Sequence, residues 1–171
     1  KFENLNDKAL SKLIDINFKN QIIFIKKILP LRRKNQINNI ITWAGPATNN
    51  ANMFYYPYTI SKIALIKSME LLNYEISDVK FVILGPGWVK TKIHKETLKN
   101  KKILGKNYSK TKKVLDGKLK IDTSMEEIQK CVKWVLSKSK NLVGGKNFSI
   151  KHDKWHNKSF NKLLKNSESF K

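Results

Sequence analysis

This chain of 171 residues has one cysteine, Cys131, two arginines, Arg32 and Arg33, and four prolines. A lone cysteine excludes an internal disulfide and fits a reducing compartment, so a cytoplasmic protein is expected. No apolar run approaches the roughly eighteen residues a membrane helix needs. The most apolar stretch, Gln21-Ile22-Ile23-Phe24-Ile25, stops at Lys26 and Lys27, so no membrane span is expected. An initiator methionine and a signal-peptide pattern are also missing. The chain opens Lys-Phe-Glu, which leads us to expect a fragment or a processed product.

Acidic residues are scarce as well: 13 against 35 basic ones, for a net charge of +22. That balance raises the possibility of a nucleic-acid binder. The basic residues are nearly all lysine, however, and they are spread along the whole chain. They accompany 18 asparagines and frequent Ile and Phe, as drift in an AT-rich genome produces. Nucleic-acid readers rely on arginine for bidentate contacts. The expected consequence is weak, salt-sensitive attraction to polyanions rather than a dedicated nucleic-acid partner. At 40% hydrophobic, the chain holds one domain's worth of core-forming material. We expect that domain over residues 1–150 and a polar, partly disordered tail over 151–171.

Helical spacing of Leu10, Leu13, Ile14, Phe18, Ile22, Ile25, Ile28 and Leu29, with Pro30 near the end, predicts one long helix over 5–34. The apolar run at 38–44, closed by Gly45-Pro46, predicts a strand. A polar loop follows, and Pro57 suits the first turn of a helix running to about Asn73. Residues 79–84 predict a second strand. Its near-continuous apolar character is that of a parallel strand buried on both faces. Residues 92–121 are Lys-rich and weakly periodic, which predicts a mobile, partly helical excursion. Ser124 and Glu127 form a capping-box signal ahead of a helix bearing Ile128, Cys131, Val132 and Val135. Asn147–Ile150 predicts a third strand. The alternation implies an α/β fold with a parallel sheet, its ligand edge at the ends of the first two strands.

Tyr58-Thr59-Ile60-Ser61-Lys62 carries the chemistry. Positions i and i+4 share a helix face. An ammonium held there stabilises phenolate and is expected to lower the tyrosine pKa from about 10 toward neutrality. A phenol so tuned donates a proton to a carbonyl oxygen, or takes one from an alcohol. The same spacing recurs at Tyr108 and Lys112, but without a preceding strand and Gly-containing loop or a following strand ending in Gly-Pro-Gly.

With these surroundings the sequence resembles the short-chain dehydrogenases/reductases over nearly all of residues 8–150. Asp15-Ile16-Asn17-Phe18 resembles the helix signature with the family's catalytic Asn. Asn39 to Gly45 resembles the strand leading to its catalytic Ser. Tyr58 and Lys62 match its Tyr-x-x-x-Lys pair. Gly85 to Thr91 resembles the Pro-Gly-x-x-x-Thr segment that lines the nicotinamide. The resemblance implies a partial Rossmann-like, doubly wound parallel sheet and NAD or NADP as cofactor. The substrate would be a small alcohol or carbonyl compound, and the intact parent a homo-dimer or tetramer paired through the helices at 5–34 and 57–73. Tyr58 would be the general acid/base. Lys62 would tune it and hold the nicotinamide ribose, and Asn17 would hold a water linking Lys62 to solvent. Pro86 and Gly87 would line the nicotinamide, and Val89 and Thr91 would contact its carboxamide or a nearby phosphate.

Two departures stand out. Counting back about thirteen residues from Tyr58, to where the family has its serine, lands on Gly45. Loss of one such oxyanion donor costs about a hundred- to a thousandfold in rate. Thr48 is the nearest hydroxyl that could substitute, and it is equally readable as a plain loop residue. Thr42 and Asn49 are weaker candidates. The second departure is that no Gly-rich phosphate-binding turn occurs, and Gly144-Gly145 comes too late to serve. The N-terminal dinucleotide-binding half, about four strands, is therefore expected to be missing, leaving the strand at 38–44 as an apolar edge. On the substrate side, Gly45 and His94 are candidates. Trp88 either caps the pocket or packs beneath the loop. Trp43 and Trp134 are expected in the core. His152 and His156 share a helical spacing but lack a convincing third ligand, and no metal is expected.

Overall fold

The computed structural model describes residues 2–45, 48, 55–92, 94, 98 and 101–166; for residues 101–107 only the backbone is described. Three parallel strands, β1 (Asn38–Trp43), β2 (Val79–Gly85) and β3 (Asn147–Ser149), form one sheet in the order β1-β2-β3. The register pairs Trp43 with Leu84, and Gly85 with Ser149. The three strands therefore end on one edge.

β2 is the central strand, and its alternation divides the core in two. Val79, Phe81 and Ile83 face Ile25 of α2 (Asn20–Ile28) and Leu65 and Met69 of α3 (Tyr56–Glu75). Val82 and Leu84 face Phe148 together with Ile128, Cys131 and Val135 of α5 (Met125–Leu136). Helices thus cover both faces of the sheet, and burying each of these side chains contributes about 1.5–3 kcal/mol.

The helix expected over 5–34 is interrupted. α1 (Asp7–Ile14) starts at the Asn6 cap, whose side chain accepts from the Lys8 and Ala9 amides. A π-helical turn, Asp15–Lys19, then widens the helix before α2 resumes, and a 3-10 turn at Leu29–Leu31 contains Pro30. Residues 92–121 contain a regular helix, α4 (Lys101–Leu115), which buries Thr111 and Val114. α5 begins at the predicted cap, Ser124 accepting from the Glu127 amide at 3.1 Å. α6 (Lys140–Val143) leads into β3.

Two expectations fail. The segment expected to be a polar tail packs into the core through Trp155, Phe160 and Leu164, the last two on α7 (Lys158–Asn166). Trp155 also donates its indole N–H to the Ile150 carbonyl at 2.9 Å. Trp43, expected in the core, is 41% exposed because β1 is the edge strand of the sheet. Trp134 does join the aromatic cluster with Phe148, Trp155 and Phe160.

Candidate active site

Tyr58 and Lys62 lie on the first turns of α3, which Pro57 helps to start. The Lys62 ammonium donates to the Trp43 carbonyl at 2.9 Å, tying α3 to the carboxyl end of β1. It sits 6.0 Å from the centre of the Tyr58 ring. Tyr55 packs edge-on against the same ring, 6.4 Å between centres. Gly45 follows directly: a Cβ added there would overlap the Tyr58 hydroxyl oxygen and lie 2.6 Å from two ring carbons. The phenol is therefore laid over the end of β1.

The electrostatics run against the sequence expectation. Burial pushes the Tyr58 phenol above its ordinary value of 10.0, and Tyr55 adds to the rise. Burial likewise holds the Lys62 ammonium below its ordinary 10.5. The cation is engaged by the Trp43 carbonyl and lies beside the ring, so desolvation outweighs its attraction for a phenolate. A phenol held this way keeps its proton at neutral pH.

Beside this pair, β2 ends at Gly85 and continues into Pro86-Gly87. Gly87 adopts φ +72°, the left-handed region that favours glycine, and packs close to the Thr123 hydroxyl. Trp88 accepts the Thr123 amide at 2.8 Å through its carbonyl and stacks on His94, with ring centres 3.9 Å apart. His94 Nε2 lies 2.7 Å from the Val89 carbonyl, and the Val89 side chain packs against the core. Thr91 is exposed, with its carbonyl accepting the His94 amide. Buried Thr123 keeps a hydroxyl with no partner among the described residues next to Gly87.

Asn17 lies on the π-helical turn, which packs against α3. Its carbonyl accepts the Gln21 side-chain amide at 2.9 Å. Thr48 is half-buried, but its neighbours 46, 47 and 49 lie outside the described residues, and with them the candidate Asn49. Among the described residues no three His, Cys, Asp or Glu side chains gather as a metal site, and His156 stacks on Trp155. No helix among them is long and apolar enough to cross a membrane.

The sequence reading missed two lysines that hold this frame. Lys80, 3% exposed, reaches from β2 to the carbonyls of Val135 and Lys138 at the end of α5, at 2.8 and 2.6 Å. Lys140 does the same for Asn73 in the last turn of α3 and for Ile76 and Val79 just beyond it. Each places a cation at the negative end of a helix. A lysine inside an otherwise apolar strand was the available signal for Lys80.

A NAD(P) nicotinamide fits this edge in part. Gly87, the unpartnered Thr123 hydroxyl and the Lys62 ammonium border it, whereas no glycine-rich turn for the pyrophosphate occurs in the sequence.

Comparison with known proteins bears on the family and the fold of the chain. The short chain dehydrogenase family profile matches residues 1–102, which include Tyr58, Lys62 and the Pro86-Gly87 segment. Dehydrogenase/reductase SDR family member 4 of Oryctolagus cuniculus is 26% identical over 103 residues, 59% of this chain and 40% of that protein. The chain thus spans well under half the length of this curated relative. Among solved structures, the KRED1-Pglu enzyme superposes with a TM-score of 0.71 at 15% identity, over 85% of this chain and 61% of that one. A protein from Burkholderia xenovorans described as a short-chain dehydrogenase/reductase gives 0.61 at 13% identity, over 85% and 56%. These two likenesses show the fold, and the family match extends over more than half of the sequence: the chain belongs to the short-chain dehydrogenase family.

Proposed function

We propose that this chain carries the proton-transfer side of an NAD(P)-dependent oxidoreductase that interconverts a secondary alcohol and a carbonyl compound. Tyr58 is its general acid/base and Lys62 the partner of Tyr58. The observation that carries this reading is the meeting of the Tyr58 phenol, the Lys62 ammonium and Gly45 at the carboxyl end of β1, beside the Pro86-Gly87 bend after β2. In an open parallel sheet, ligands bind at that edge.

Lys62, Gly87, Val89 and Thr91 would hold the nicotinamide end of NAD(P), which when bound would supply or accept the hydride. Tyr58, protonated at neutral pH, hands its proton to the carbonyl oxygen of the substrate in the reducing direction. Lys62 uses one N–H on the Trp43 carbonyl and keeps two for the nicotinamide ribose. Asn17 holds a water on the path from Lys62 to solvent, with Thr48 as the substitute hydroxyl near the substrate. Gly87, Val89 and Thr91 line the nicotinamide, and Trp88 and His94 border the substrate. The protein is cytoplasmic and self-associates through the outer faces of α2 and α3, where Phe24, Ile60 and Ile63 are exposed.

A second reading is a relative that keeps the fold without catalysis. Gly45, which brings no hydroxyl, and the raised Tyr58 pKa favour it. A panel of secondary alcohols and ketones with both dinucleotides, assayed on the longest natural form of the protein, separates the two. We expect dinucleotide-dependent turnover. Dinucleotide binding without turnover supports the second reading, and neither binding nor turnover overturns the oxidoreductase assignment.

A further inference from the structure

We infer that Gly45 is a positioning residue: lacking a side chain, it lets the Tyr58 hydroxyl stand at the end of β1 in the volume a residue-45 side chain would fill. The Tyr58 hydroxyl then takes the place that a side chain at residue 45 would occupy. The inference rests on the reading of Tyr58 as acid/base, but its test requires no turnover.

A glycine is required for one of two physical reasons, a left-handed backbone or a close approach. Gly87, Gly117 and Gly145 have positive φ, and Gly45 does not. Its backbone would accept alanine or serine. The close approach is what remains. A Cβ at residue 45 would overlap the Tyr58 hydroxyl and stand 2.6 Å from Cε1 and Cζ, nearer than real Cβ contacts come. The obstructing atoms are the rigid end of an aromatic ring. That ring is held by the first turn of α3, by Tyr55 against its edge and by the Lys62 ammonium fixed on the Trp43 carbonyl. A side chain at residue 45 must therefore push the phenol off the end of the strand. Introducing a serine here would displace the acid instead of adding a second donor.

The test is a double-mutant cycle on the full chain, read by thermal unfolding. Gly45→Ala should lower Tm in the wild-type background and leave it unchanged or raised in the Tyr58→Ala background, where the ring is gone. If Gly45→Ala alone does not fold, recovery of folding in the double variant carries the same meaning. An equal loss of Tm in both backgrounds, or no recovery, overturns the inference. The second measurement is ultraviolet titration of the Tyr58 phenol, isolated by difference from Tyr58→Phe. Wild type should titrate above the ordinary 10.0. Gly45→Ser should bring that midpoint down toward the ordinary value as the ring moves to water. A midpoint that Gly45→Ser leaves in place overturns the positioning role. Failure of the oxidoreductase reading would appear as absent turnover, with both of these results standing.

Discussion

At Tyr58 burial is the main cause of the raised phenol pKa, and the charge of Tyr55 adds to the rise. The i, i+4 spacing needs only local geometry to set Tyr58 and Lys62 on one helix face, but it carries no information on burial and so missed the direction of that shift. Cys131 shows the same dependence on surroundings. Burial, with Asp153 and Glu127 nearby, pushes its thiol from 9.0 up to about 12. The native chain keeps this proton where the unfolded chain loses it. The associated stability is therefore present below pH 9 and lost as pH rises toward about 12. Urea unfolding at stepped alkaline pH should show a smaller loss in Cys131→Ala than in wild type. At neutral pH, thiol reagents should leave Cys131 unmodified until the chain unfolds.

Among the elements, the strands were read almost to the residue, because β2 is apolar apart from Lys80 and turn residues bound β1. The first helix was read as continuous because apolar spacing tolerates one wider turn. The π-helical segment at Asp15–Lys19 leaves no mark in that pattern. Phe160, Leu163 and Leu164 did carry helical spacing, but the surrounding lysines and asparagines masked it. Lys80 ties two elements together. Lys80→Met should strand the carbonyls at the end of α5 and cost about 1–3 kcal/mol in urea unfolding. A cost near zero would show that water satisfies them equally well.

For the molecule as a whole, the sheet among the described residues ends at β1. A groove of about 480 Å³ runs between this strand and α2, lined by Gln21, Phe24, Ile25, Ile41 and Trp43 among others. An apolar edge of this kind favours self-association. Phe24→Lys should reduce the oligomer fraction in light scattering. With no glycine-rich turn in its sequence, this chain alone should bind NADH or NADPH more weakly than micromolar, and a fluorescence titration reads this directly.

The most direct test compares ketone reduction by wild type and Tyr58→Phe in the longest natural form of the protein, with dinucleotide affinity measured alongside. A rate loss of at least about a hundredfold with affinity retained is the expected result. Undiminished turnover by the phenylalanine variant would contradict it.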